Sequence, residues 1–458
     1  MKIIICGAGQ VGRGIAERLA AEGNDVTVID TSAALVRSIG DALDVQGLVG
    51  HGSHPDVLER AGAGDADMLI AVTHTDEVNM MACEVANAIF NTPTKIARVR
   101  NQSYLLPEYR NLFRRANTAI DVVISPELAV GEMVLRRLAL PGAFEAIYFA
   151  DERVVAMGIT LNDNCPVVDT PLEQLTELFP DLKAVVVGVS RGGTLFVPRS
   201  GDMLQVGDQA YVVAEQSQTA RTLGLFGHEE KPATRVLIAG CGNIGLYVAR
   251  KLEERDRGTR IRMIELGRDR AESAAEALKR AVILHGSALD VELLREGNVR
   301  ETEAFLALTN DDKVNILAAM LAKQEGAQQA MALVSSLDVA PMAGPLGVDS
   351  FIDPRSVTVS SVLKHVRRGR IRGVHPVHGG EGEIIEAEAL ETSPVVGMPL
   401  REAELPAGVR LGAIVRDAQV VIPRGDTVIR PHDKIILFAL KSDAQALEQL
   451  FRVSLEYF

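Results

Sequence analysis

The amino-acid sequence predicts an α/β chain: two tandem copies of a parallel-sheet domain, each followed by a small α+β domain. Three observations predict this. First, KIIICGAGQVGRGIAERL near the start matches RVLIAGCGNIGLYVARKL from Arg235, and Gly7, Gly9 and Gly12 recur 233 positions on as Gly240, Gly242 and Gly245. Self-similarity at a fixed offset marks a duplicated architecture. Second, short β-branched runs alternate with helical patterns, and the runs are almost continuously apolar, as in parallel strands covered on both faces. Third, each copy continues for roughly 80 residues with shorter, alternating strands, which read as a smaller α+β domain. The predicted domains are 1–123, 143–227, 232–348 and 368–453.

Composition bounds what such a chain can do. At 458 residues it is too long for one core, and its 47% apolar and 24% charged residues are ordinary for a globular protein. A net charge of −13 and the absence of Trp disfavour nucleic acid, which calls for basic surface and stacking platforms. Cys6, Cys83, Cys165 and Cys241 are scattered and form no CxxC pair, which fits a reducing cytoplasm better than a disulfide framework. The chain enters a strand and turn at once, MKIIICGAG, with no signal-peptide pattern before it. No apolar run approaches the ~18–20 residues that cross a bilayer, so any membrane role is expected to be peripheral.

The elements follow in order. MKIIIC, DVTVID, DMLIAV and KIARV read as strands of the first copy, with GQVGRGIAERLAAEG and DEVNMMACEVANAIF as helices between them. A DVVI strand meets Ser125-Pro126, and ELAVGEMVLRRLALPG reads as a connecting helix. RVVAMGITL, AVVVGVSRG and QAYVVA are strands of the small domain, with Pro198-Arg199 and Gly201-Asp202 as turn chemistry. TLGLFGHEEKPATR, polar with Gly and Pro, reads as the linker between halves. In the second half, Asp353-Pro354 answers Ser125-Pro126, SVTVSSVLKHVRRGRIRG is the second connecting helix, and Pro394-Val395-Val396 answers Pro166-Val167-Val168. Pro423-Arg424-Gly425-Asp426 repeats the turn.

Each glycine motif follows a strand, opens a helix, and is trailed by an acid, Asp30 or Glu265, 18 or 20 positions after its last glycine. That context is the Rossmann-like dinucleotide fingerprint. The first glycine allows a tight turn, the second lets a pyrophosphate approach the backbone, and the third lets helix and strand pack closely. Phosphates then sit at a helix N-terminus, where free N–H groups and the dipole favour negative charge. Either acid can accept the ribose hydroxyls and would repel a 2′-phosphate, favouring NAD over NADP. Ser53, in His51-Gly52-Ser53 (repeated as His285-Gly286-Ser287), can hydrogen-bond an adenosine or simply close an ST-turn. Thr73-x-x-Asp76-x-Val78-Asn79 recurs as Thr309-x-x-Asp312-x-Val314-Asn315; Thr73 and Asp76 read as helix-capping residues that a ligand can share.

The copies differ in charge. Arg98 ends the KIARV strand where it can neutralise phosphates or lie solvated, yet its counterpart is Leu333, and Arg100 is matched by Ser335. Unequal sites suggest unequal ligands. The basic run Lys364-His365-x-Arg367-Arg368-x-Arg370-x-Arg372 reads as a solvated helix face or a contact with an acidic partner or lipid headgroups. The nine histidines show no metal-ligand spacing. No proton-transfer pair or nucleophile elbow recurs in both halves, so duplicated binding without duplicated chemistry fits a sensor better than an enzyme.

On Gly7-Ala8-Gly9-Gln10-Val11-Gly12 with Asp30, Thr73-His74 and Arg98, and on Gly240-Cys241-Gly242-Asn243-Ile244-Gly245 with Glu265 and Thr309-Asn310, the chain resembles the TrkA family over essentially its whole length. These are peripheral, NAD-binding subunits of bacterial Trk potassium uptake systems, built from two tandem RCK modules, each an RCK-N followed by an RCK-C domain. The resemblance implies binding of NAD(H), with ATP or ADP a candidate in one module, and no catalysis. It also implies a homotetrameric ring on the cytoplasmic face of the inner membrane, docked to a membrane-embedded, TrkH/TrkG-like potassium transporter subunit whose pore it gates. The departure at Leu333 leaves the second module's ligand open. The competing readings are an NAD-dependent oxidoreductase and an RCK-type regulator of a different cation transporter.

Overall fold

A computed structural model describes residues 1–114, 117–229, 231–255, 258–335, 346–366, 371–443 and 447. The chain divides into two compact units, and each draws on both halves of the sequence: Met1–Glu132 with Thr234–Val366, and Met133–Ala233 with Arg367–Phe458. Equivalent domains have paired with one another, instead of each half closing on itself.

The first unit holds two parallel sheets. One contains β1 (Lys2–Cys6), β2 (Asp25–Asp30), β3 (Gln46–Val49), β4 (Met68–Ala71), β5 (Thr94–Arg98) and β6 (Val122–Ile124), in the order β3-β2-β1-β4-β5-β6. Around it lie α1 (Gln10–Ala21), α2 (Ala33–Gly40), α3 (Pro55–Arg60), α4 (Asp76–Ala88) and α5 (Pro126–Ala139), the last crossing into the second unit. Ile3, Ile4, Ile5 and Cys6 are all buried, as a strand covered on both faces requires. The strand order reverses beside β1, and at such a switch point an open α/β sheet presents its ligand crevice. Two glycines are dictated by the turn there. Gly7 has φ +117°, and a Cβ on Gly12 would lie 1.8 Å from the Gly7 carbonyl oxygen. The second sheet repeats the first; in it Gly240 has φ +103°, and a Cβ on Gly245 would lie 2.0 Å from the Gly240 oxygen.

The second unit's small sheet from the first half has β7 (Ala143–Phe149), β8 (Val154–Thr160), β9 (Ala184–Arg191), β10 (Thr194–Phe196) and β11 (Gln209–Glu215), all antiparallel, with α6 (Leu172–Leu178) and α7 (Thr219–Leu225). In the first unit, the second-half sheet comprises β12 (Arg235–Ala239), β13 (Arg260–Glu265), β14 (Val282–His285), β15 (Ala304–Ala307), β16 (Gln329–Leu333) and β17 (Ser350–Ile352). Its order is β14-β13-β12-β15-β16-β17. Its helices are α8 (Asn243–Arg255), α9 (Arg268–Ala277), α10 (Val291–Glu296), α11 (Asp312–Glu325) and α12 (Pro354–Val366). The last sheet, again in the second unit, has β18 (Ile371–Val377), β19 (Gly382–Glu388), β20 (Val409–Arg416), β21 (Gln419–Val421) and β22 (Lys434–Leu440) in the order β18-β19-β22-β20-β21.

Within the first unit the connecting helices trade places. Val359, Val362, Leu363 and Val366 of α12 join the core formed by Ile15, Ala16 and Leu19 of α1. Gly14 of α1 leaves room for Val359, whose Cγ2 would sit 3.0 Å from a Cβ added there. Reciprocally, Gly131 of α5 accommodates the Tyr247 ring of α8, and the Tyr247 hydroxyl bonds Glu132. The second half's connecting helix thus buries its apolar face on the first half, and the first half's meets the second at Gly131 and Glu132.

Within the second unit the two small sheets share one core, including Val187, Val213, Ile384, Ala413, Ile436 and Phe438. Gly188 makes the approach possible, since a Cβ there would lie 2.9 Å from the Phe438 ring. Each sheet carries the same bidentate pair: Arg191 holds Asp208 at 2.9 and 2.8 Å, and Arg416 holds Asp433 at 2.9 and 2.7 Å. Both carboxylates also accept a turn N–H, from Gln205 and from Arg430.

Two expectations need correction. The stretch read as a linker begins inside α7, because Thr222, Leu223 and Phe226 bury their side chains. The second connecting helix is described over Pro354–Val366, and from Ile371, inside the stretch read as helix, the chain is a strand. Of the basic run, Arg367, Arg368 and Arg370 lie outside the described residues. Among the described residues no helix is long and apolar enough to cross a membrane. All four cysteines are buried with free thiols.

Candidate nucleotide-binding site

The carboxyl ends of β1, β2, β4 and β5 converge at the start of α1. Gly9 is the N-cap of that helix and provides no side-chain cap, so among the described residues the first-turn N–H groups have no side-chain acceptor. Its backbone is extended with φ −67°, and a Cβ added to it would meet nothing within 4 Å. Neither conformation nor packing therefore asks for glycine here, unlike at Gly7 and Gly12. What glycine preserves is open space above a helix N-terminus. Gly242 also opens onto empty space, before α8. Gln10 and Asn243 are exposed beside these glycines, Val11 and Ile244 are half-buried, and Ala8 and Cys241 are buried.

Asp30 ends β2, accepting the Ala8 N–H at 2.7 Å on one oxygen and the Ser32 N–H at 2.8 Å on the other. Glu265 ends β13 and accepts the Cys241 N–H at 2.7 Å, the Gly267 N–H at 2.9 Å and the Arg270 guanidinium at 2.9 Å. Burial alone would raise the Glu265 carboxyl, but the Gly267 and Cys241 N–H groups and Arg270 outweigh it and hold it below the usual carboxylate range.

Thr73 and Thr309 have a role other than capping. Asn79, fully buried on α4, accepts from the Thr73 N–H at 2.8 Å and its hydroxyl at 2.7 Å. Its amide donates to the Thr73 carbonyl at 3.2 Å and to the Arg98 carbonyl at 2.9 Å. Asn315 does the same for Thr309 and the Leu333 carbonyl. Each asparagine thus ties the end of one strand to the end of the next, and the matching bonds make Arg98 and Leu333 true equivalents. Asp76 is not a cap either: its carboxylate accepts the Arg100 and Asn101 N–H groups, at 3.0 and 2.8 Å. The chain turns away after β5, and those two N–H groups would otherwise lack a partner.

The Arg98 Nε is buried and has no hydrogen-bond partner among the described residues. Burial, followed by repulsion from Arg100, lowers its affinity for its proton. Arg100 is instead held by Glu127 at 2.8 Å. Ser53 bonds the His51 ring at 2.9 Å, whereas Ser287 closes an ST-turn onto the Leu289 N–H at 3.2 Å. His74 and Asn310 are exposed. Among the described residues no group of three His, Cys, Asp or Glu side chains is placed to hold a metal.

The model of the TrkA-N domain matches residues 3–126 and 236–354, and that of the TrkA-C domain matches 156–227 and 384–452. The Trk system potassium uptake protein TrkA of Azorhizobium caulinodans is 57% identical over 458 residues, covering 100% of both chains. The chain belongs to the TrkA family. Solved structures of the GsuK channel bound to NAD (TM-score 0.60, 16% identity, 98% of this chain and 78% of that one) and of GsuK bound to ADP (TM-score 0.50, 13% identity, 80% and 70%) share the fold.

With TrkA membership shown, the fold class stands as two tandem Rossmann-like domains, each followed by a small α+β domain. Sequence reasoning missed two features of this TrkA-family site. It noted Asn79 and Asn315 as part of a repeated pattern, but gave no role to a polar side chain on the sheet-facing stripe of a helix. It also passed over Arg270, which lies five residues beyond the acid it pairs with.

Proposed function

We propose that this chain is a nucleotide-sensing regulatory subunit of a potassium uptake system, binding NAD(H) at Asp30 and the α1 N-terminus without turning it over. TrkA family members regulate membrane potassium transporters. In this reading the first-turn N–H groups of α1, over Gly9, receive the phosphates, with Gly7, Ala8, Gln10, Val11 and Gly12 forming the turn. Asp30 accepts the ribose hydroxyls, and the unpartnered Arg98 Nε turns to phosphate oxygens. Thr73, His74 and Ser53 line the remaining edge.

The second module, at Gly240, Cys241, Gly242, Asn243, Ile244, Gly245, Glu265, Thr309 and Asn310, takes NAD(H), ATP or ADP by the same turn, without a cation at the Leu333 position. The protomers assemble as a homotetramer on the cytoplasmic face of the membrane, against a TrkH/TrkG-like pore subunit. A ligand shifts gating there only by its difference in affinity for two states of the assembly.

The observation that carries this reading is Gly9, a glycine that nothing in the protein itself requires, facing open space above uncapped N–H groups. Calorimetric titration of NADH, NAD and ADP into wild type, Asp30→Ala and Glu265→Ala tests it. Loss of the tighter site in Asp30→Ala is expected; unchanged binding in both variants would reject the site.

A further inference from the structure

The two ribose acceptors differ in a way that the glycine motifs do not reveal. A carboxylate offers about four acceptor positions. Among the described residues Asp30 uses two of them, for the Ala8 and Ser32 N–H groups, one on each oxygen. Two positions stay open, enough for the two hydroxyls of a ribose. Glu265 keeps a single open position, on Oε2, too few for both hydroxyls of a ribose. One oxygen takes the Cys241 N–H at 2.7 Å, and the other takes the Gly267 N–H at 2.9 Å together with Arg270 Nε at 3.1 Å and Nη2 at 2.9 Å.

The third residue of α9 is Arg270, and the equivalent residue of α2 is Leu35, which is 42% exposed and carries no donor. The Arg270 side chain is itself 62% exposed while its partner Glu265 is 5% exposed, so the guanidinium can leave for water but the carboxylate cannot.

We infer that Arg270 is a built-in competitor for the ribose hydroxyls at Glu265, making the second module the weaker nucleotide site of the pair. This inference rests on the functional reading above. A nucleotide entering the second module displaces Arg270 from Glu265 before both of its ribose hydroxyls can bond there; at the first module no side chain has to move. With Leu333 in place of Arg98, the second module also lacks the cation that would offset this cost. The exposed end of the pair limits its worth, so freeing Glu265 is expected to tighten binding about fivefold.

The test is calorimetric titration of NADH, and separately ADP, into the full chain as wild type, Arg270→Ala and Arg270→Leu, the last supplying the first module's residue type. The expected result is two classes of site in wild type. In both variants the weaker class tightens about fivefold and the stronger class is unchanged. Weaker binding at the second class would make Arg270 a ligand contact and overturn the inference, as would no change. A second class absent from wild type and variants alike, with the first intact, would also overturn it. Absence of binding at both classes would instead reject the functional reading on which it rests. NADPH added as a third ligand distinguishes the one alternative role: tight binding to wild type that Arg270→Ala abolishes would assign Arg270 to a 2′-phosphate, against the inference.

Discussion

Replacing Asn79 by alanine should be the costliest single change near the site that touches no glycine. The side chain is fully buried and makes four hydrogen bonds, with the Thr73 N–H, hydroxyl and carbonyl and with the Arg98 carbonyl. Alanine removes all four and strands an N–H and two carbonyls of the half-buried residues Thr73 and Arg98. An unsatisfied buried polar group costs about 1–3 kcal/mol, and water admitted to the vacated space recovers part of that, so a net loss of about 3 kcal/mol follows. In a unit of this size that lowers the melting temperature by about 5–6 °C. Scanning calorimetry reads it directly. Asn79→Asp sharpens the test by keeping the shape and the acceptors while facing a carboxylate toward two carbonyls. Burial raises such a carboxyl's folded pKa, so Asn79→Asp should gain stability as pH falls through that raised value. A drop under about 2 °C for Asn79→Ala, or an Asn79→Asp variant indifferent to pH, would refute the stapling role.

Two further expectations concern other residues. Burial, against the pull of Arg137, pushes the Glu145 carboxyl up to about 7 from 4.5. The folded protein then holds the extra proton between those values, so stability falls as pH rises through that window and the loss is complete above about 7. Thermal melts of Glu145→Gln should lack this decline, and curves parallel to wild type would show the group to be uninvolved. Gly12→Ala would place a Cβ 1.8 Å from the Gly7 oxygen, whereas Gly64→Ala meets nothing within 4 Å. The first should abolish the cooperative unfolding transition seen by circular dichroism and the second should leave it unchanged; two similar melts would count against the close approach of Gly12 to the Gly7 carbonyl.

Much of the architecture was legible because it rests on local signals. The apolar runs of β1, β2, β4 and β5 and the glycine turns stand out in any single copy, and the repeat doubles them. What was not legible depends on contacts far apart in sequence. Val362 and Leu363 look like one stripe of an isolated helix, and only the fold shows that they cover Ile15 and Leu19 of the other half. The pairing of small sheets through Gly188 and Phe438 is equally non-local. In the site, Asp76 was misread because an acid at a helix start is usually explained by that helix; here the Arg100 and Asn101 N–H groups compete for it and win. Arg98 was legible as a cation at a strand end, but not that its Nε has no hydrogen-bond partner among the described residues.

The central claim is that the space above Gly9 is kept for a nucleotide's phosphates. Gly9→Ser tests it most directly, because serine is a favourable N-cap: it fills the space and offers the α1 N–H groups an acceptor of their own. Calorimetric titration of NADH into this variant, with its melting temperature measured alongside, should show the tighter site lost and the melt within about 2 °C of wild type. Full-strength NADH binding by a normally folded Gly9→Ser protein would contradict the account.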